Sequence, residues 1–148
     1  MKKVTVILIL FILGCNTQNQ DIKLINNFID DVVLRKNTTN KEPTRFIGFS
    51  KKISKEKKEI FNLFIDENIK FLRKELNENK YVVVSNEDIK SFNINFIYKI
   101  QDLEKVYHLV TNDKVITTFI IRKGKIISFF HNIVKGNSKN RTPLMLNE

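Results

Sequence analysis

The sequence predicts an α+β domain: two N-terminal helices packed on a four- to five-stranded antiparallel meander sheet. Three observations carry this. Apolar residues recur at helical spacing through the first half of the chain, and they alternate or run in short β-branched blocks through the second. Turn residues separate those blocks at hairpin distance. The composition is that of one globular domain: 148 residues, 42% hydrophobic and 28% charged, with 26 Lys or Arg against 16 Asp or Glu for a formal charge of +10. Such a balance excludes wholesale disorder, a collagen-like repeat and a polytopic membrane protein. No internal repeat is visible.

In chain order, Asn16 to Gln20 hold no apolar residue and read as a tether. From Asp21, a candidate N-cap, Ile25, Phe28, Ile29 and Val32 fall at i, i+3, i+4 and i+7, the stripe of a helix ending near Lys36. Asn37 to Pro43 is rich in turn formers and reads as a loop, after which Phe46, Ile47 and Phe49 are expected to tuck against the core. Ser54 is placed to cap a longer helix with Phe61, Phe64, Ile65, Ile69, Leu72 and Leu76 on one stripe, ended by Asn77-Glu78-Asn79. Tyr81 to Val84 is a short β-branched run, and Phe92 to Ile100 alternates with period two. Strands over Lys105 to Thr111, Val115 to Arg122 and Lys125 to Val134 follow, parted by Asn112-Asp113-Lys114 and by Lys123-Gly124, where glycine supplies a positive φ. Gly136 to Thr142 is a polar, basic segment, and Pro143 to Leu146 either docks as a last short strand or stays loose. With one sheet face to cover, the helical stripes make a two-layer domain. The order of elements is similar to the cystatin-like and nuclear-transport-factor-like cones.

The first fifteen residues are of another kind. Met1-Lys2-Lys3 precedes an apolar run from Val4 to Leu13, then Gly14-Cys15, and the chain turns polar at Asn16. A basic head, a short apolar middle and a small residue before a cut have the form of a secretory signal. As a helix the run spans about 15 Å, half the ~30 Å hydrocarbon core, so it is short for a spanning anchor. Ile12-Leu13-Gly14-Cys15 resembles the lipobox of bacterial lipoproteins, and Cys15 is the one cysteine in the chain. The resemblance implies a thioether-linked diacylglycerol on Cys15, cleavage between Gly14 and Cys15, and acylation of the new amino terminus with a fatty acid such as palmitate. It thus implies residues 1–14 as signal peptide, 15–20 as tether and 21–148 as one domain. Asn16 rather than Asp follows the cysteine, which by the same class analogy favours the outer membrane of a Gram-negative host, facing the periplasm or the exterior.

Motifs for chemistry are few. His108 and His131 sit in expected strands without metal-ligand spacing, and each reads as a half-buried or surface histidine with one hydrogen bond. No Gly-x-Ser-x-Gly turn is present, and four glycines form no phosphate-cradling loop. Carboxylates pair at Asp30-Asp31, Asp66-Glu67 and Glu87-Asp88, but neighbours on a helix point about 100° apart, so a solvated face explains the helical pairs better than a catalytic dyad. No catalytic residue, cofactor or metal ligand is therefore expected. The basic residues Lys51, Lys52, Lys55, Lys57 and Lys58, and then Arg122, Lys123 and Lys125, are candidates for contact with an anionic surface. Only Lys2 and Lys3 of the charged residues belong to the signal, so the positive charge resides in the domain. Export removes nucleic acid as a partner.

The expectation is therefore a lipid-anchored, non-enzymatic module that binds a protein or another envelope component, an immunity-type lipoprotein being one specific form. The alternative is a small-ligand carrier or enzyme with an apolar pocket lined by Phe92, Phe96, Tyr98, Phe119 and Phe129. Such aromatics more commonly form core.

Overall fold

A computed structural model describes residues 20–36, 42–49, 53–76, 79–89 and 105–130, the short strands 134–135 and 142–143, and residue 146. The expected signal peptide and tether over residues 1–19, with Cys15, as well as Lys51, Lys52, His131 and the expected strand over 92–100, lie outside the described residues. Helix α1 is α-helical over 20–28 and widens into a π-helical turn at Ile29–Val33. It stops where Arg35 takes φ +52° and the Lys36 N–H donates to the Asp30 carbonyl at 2.9 Å. A single 3-10 turn, Pro43–Arg45, leads to helix α2, Lys55–Leu76. Ser54 caps α2, its Oγ accepting the Lys57 N–H at 3.3 Å.

Four strands form one antiparallel sheet in the order β1 (Val82–Ser85), β2 (Lys105–Thr111), β3 (Lys114–Arg122) and β4 (Lys125–Ser128). The α+β class is as the sequence predicts, with β2 directly beside β1 through Val82↔Val110 and Ser85↔Tyr107. Both tight turns have two central residues at positive φ: Asn112 and Asp113 between β2 and β3, Lys123 and Gly124 between β3 and β4. That is the turn whose twist matches paired strands. Segment 46–48 runs beside β4, Gly48 N–H donating to the Ile126 carbonyl at 2.9 Å and Ile126 N–H to the Phe46 carbonyl at 3.0 Å. Gly48 makes the approach feasible, because a Cβ there would stand 3.0 Å from the Lys125 Cβ.

The principal core lies between the helices and one sheet face. Ile25, Phe28, Ile29 and Val32 of α1 and Ile65, Ile69, Leu72 and Leu76 of α2 meet Tyr107, Leu109, Phe119, Ile121 and Ile126. Phe28 sits edge-on to Phe46, Phe119 and Phe129 at 5.8, 6.1 and 5.1 Å between ring centroids. Leu146 is fully buried in the same core, its N–H donating to the Ile127 carbonyl at 2.8 Å, so the chain docks at this residue.

Several expectations need correction. Residue 20 is already helical, so Asp21 lies within the helix and is no N-cap. The carboxylate of Asp21 is buried and accepts from Lys105 Nζ at 2.8 Å and the Tyr107 hydroxyl at 3.0 Å. The last long strand ends at Ser128 rather than Val134, because Phe129 and Phe130 leave the ladder to enter the core and the Phe129 carbonyl accepts the Thr117 hydroxyl at 2.8 Å. Val134–Lys135 pairs instead with Thr142–Pro143 in a separate two-stranded sheet. The sheet also buries its second face, where Val106, Ile120 and Ile127 cluster beside His108 and Thr118. Strands buried on both faces carry near-continuous apolar runs, which is how Phe119 to Ile121 reads. Phe64, placed on the buried stripe by spacing, is 38% exposed and leans on Phe130 at 6.4 Å, while Leu63 is 67% exposed.

Candidate functional site

The two ends of the sheet differ in what the chain brings to them. At one end lie the start of β2, the end of β1 and the β3–β4 turn, since Lys105 pairs with Ile121 and Arg122 with Lys125. Helix α1 begins here, because Asp21 holds Lys105 and Tyr107. Burial, and then the Asp21 carboxylate, raise the Tyr107 hydroxyl well above its usual pKa. At the opposite end lie the β2–β3 turn, held by the Asn112 amide to Asn79 Oδ1 at 3.3 Å, and the end of α2. Helix α1 ends there as well, with Asp30 close enough to Tyr81 to raise its pKa after the larger effect of burial.

The basic residues singled out in the sequence form two separate groups. Lys123 and Lys125 are exposed at the β3–β4 turn with Arg122 half-buried beside them, and Lys125 Nζ donates to the Arg45 carbonyl at 2.6 Å. Lys55, Lys57 and Lys58 are exposed on the first turns of α2, and Lys58 Nζ stands 5.9 Å from the centroid of Phe49. Residues 45–49 run between the two groups.

Sequence reasoning missed a cleft where the C-terminal end of α1 and the 3-10 turn face α2. A cavity of about 240 Å³ is lined by Asp31, Arg35, Glu42, Asp66, Ile69 and Arg73 among others. An adjoining one of about 250 Å³ shares Glu42, Pro43 and Asp66 and adds Phe49, Asn62 and Ile65. Three carboxylates and two guanidinium groups thus meet over an apolar floor. Arg73 does structural work there, donating from Nε to the Val33 carbonyl at 2.7 Å and from Nη2 to the Val32 carbonyl at 3.3 Å, which caps the end of α1. Asp31 is 5% exposed, so the solvated-face reading of Asp30-Asp31 holds for Asp30 alone. The available signal was the spacing of Asp66, Ile69 and Arg73, which share one face of α2.

His108 is fully buried and makes two hydrogen bonds, so it is neither half-exposed nor singly bonded. Asn86 Oδ1, 3.1 Å from Nε2, is an acceptor, which assigns the proton to Nε2 and leaves Nδ1 to accept from the Thr118 hydroxyl at 3.0 Å. Burial pushes its pKa down to about 4. Of the aromatics considered for a pocket, Phe119 and Phe129 stack on each other at 6.1 Å and are fully buried core. Phe92, Phe96 and Tyr98 lie outside the described residues. Among the described residues no cluster of His, Cys, Asp and Glu has metal-binding geometry, and no helix is long and apolar enough to cross a membrane. No protein-family model, curated protein or solved structure matches the chain.

Proposed function

We propose that the chain is a lipid-anchored envelope protein whose α+β domain is a non-enzymatic binding module. The observation that carries this reading is the placing of the one cysteine at the end of Ile12-Leu13-Gly14-Cys15, between a short apolar run and a polar linker. Two or three acyl chains on Cys15 hold a protein on a bilayer far more firmly than the single chain that binds marginally. In a Gram-negative host the domain faces the periplasm or the exterior from the outer membrane. The binding role draws support from the cleft at the end of α1, where apolar side chains and charges of both signs stand together as they do in recognition sites. Its partner is a protein or another envelope component.

Detergent phase partition tests the anchor. Wild-type protein from whole cells enters the detergent-rich phase, and Cys15→Ala either enters the aqueous phase or persists as the uncleaved precursor. Equal partition of both as chains of the same length contradicts the reading. Asp66→Lys tests the cleft, because it reverses a charge on an exposed helical position without removing buried volume. It is expected to abolish the crosslinked complex recovered from wild-type membranes, and an unchanged complex rejects the cleft as the binding surface.

A further inference from the structure

The geometry points to one end of the domain, that of the β3–β4 turn, as the face held against anionic lipid headgroups; this rests on the lipid-anchored reading. The linker argues for it more strongly than the charge does. Four residues separate Cys15 from residue 20, the first described residue of α1, so a lipidated Cys15 lies within about 18 Å of it even when the linker is fully extended. The start of α1 is fixed to the end of the sheet by the contacts of Asp21 with Lys105 and Tyr107. That end carries the exposed side chains of Lys105, Lys123 and Lys125, and the exposed Lys23 stands one turn into α1. Glu87 and Asp88 stand at this end too. The Asp21 carboxylate is matched by Lys105 at 2.8 Å, and the β3–β4 turn itself carries Arg122, Lys123 and Lys125 with no acidic residue among 122–125, so the turn is positive.

The opposite end of the sheet also carries lysine, Lys114 beside the β2–β3 turn. Charge alone therefore does not choose between the ends. The linker does, because it ties this end within about 18 Å of the anchor, so its lysines can enter the ~8–10 Å over which headgroup attraction acts, whereas the β2–β3 turn lies at the other end of the sheet. Lys123 and Lys125 are thereby brought within reach of the headgroups.

The test uses the full chain purified from membranes and reconstituted into vesicles of phosphatidylcholine alone or mixed with phosphatidylglycerol. Lysine acetylation is followed by mass spectrometry, and the acyl state of Cys15 is read in the same digest. Acetylation of Lys123 and Lys125 is expected to be about fivefold slower on the anionic vesicles than on the neutral ones, with Lys114 unchanged and the difference lost at high salt. Equal rates at the two turns on acylated protein overturn the inference while the anchor stands. Protection of Lys123 and Lys125 on protein that carries no acyl group supports the lipid-facing surface and removes the anchor reading. Lys123→Glu at the same turn should weaken protection of Lys125, and protection that survives it counts against headgroup binding.

Discussion

A histidine sealed in a β-sheet is a stability device with a pH limit. Unfolded, the His108 imidazole takes a proton near pH 6.5, whereas folded it does so only near 4. Between those values the unfolded state binds more protons, so stability falls as the pH drops from about 6.5 to about 4 and is independent of His108 above that window. The shift corresponds to about 3 kcal/mol when complete. Urea unfolding at pH 7.5 and pH 4.5 should show wild type losing more stability between the two than His108→Gln does. Parallel losses in both would mean that the histidine is not kept neutral. The sequence reading had the residue in a strand without a metal motif. It could not see Asn86 or Thr118, which come from a turn and a neighbouring strand. Leu146 teaches the same lesson at the end of the chain, where a single apolar residue fills a space made by distant elements. Leu146→Ala should cost about 2–5 kcal/mol in denaturant unfolding, and a change below about 0.5 kcal/mol would show that the terminal segment does not dock.

At the scale of elements, local chemistry made the helices and hairpins legible. The Ser54 cap, the helical stripes and the two turns act within a few residues of themselves, so the sequence specifies them. Both turns have the same backbone sign pattern but different residues at the second position, Asp113 at φ +58° and Gly124 at φ +67°. Asp113→Gly should therefore stabilise the protein by about 0.5–1 kcal/mol, and Gly124→Ala, whose Cβ meets no atom within 4 Å, should destabilise it by about 1 kcal/mol through the backbone alone. Thermal melts of the two variants should move in opposite directions. Long-range features were not legible. No spacing in the sequence joins Arg73 to α1, yet it bonds the last carbonyls of α1 from some 40 positions away. Arg73→Met should cost about 1.5–3 kcal/mol, and Arg73→Lys should restore part of it; equal stability of all three proteins would remove the capping role.

At the scale of the molecule, the fold class followed from periodicity, whereas the depth of burial did not. Apolar runs parted by turn residues at hairpin spacing announce the strands from Lys105 onward. The cover on the second sheet face, by contrast, depends on where other segments fold back. The candidate cleft was hidden for the same reason, since Asp31, Glu42 and Asp66 lie on three elements and no spacing joins them. The proposed acylation of Cys15 needs no help from folding, because a modifying enzyme reads a linear segment. The account rests on that residue: the domain's orientation and its reach to a partner follow from an acyl anchor within about 18 Å of α1. The intact mass of the protein extracted from membranes tests this most directly. The expected species is a chain beginning at Cys15 and heavier than its amino acids by a diacylglyceryl group, with or without a further acyl chain. A chain that still carries residues 1–14, or one that begins elsewhere with an unmodified thiol, would contradict it.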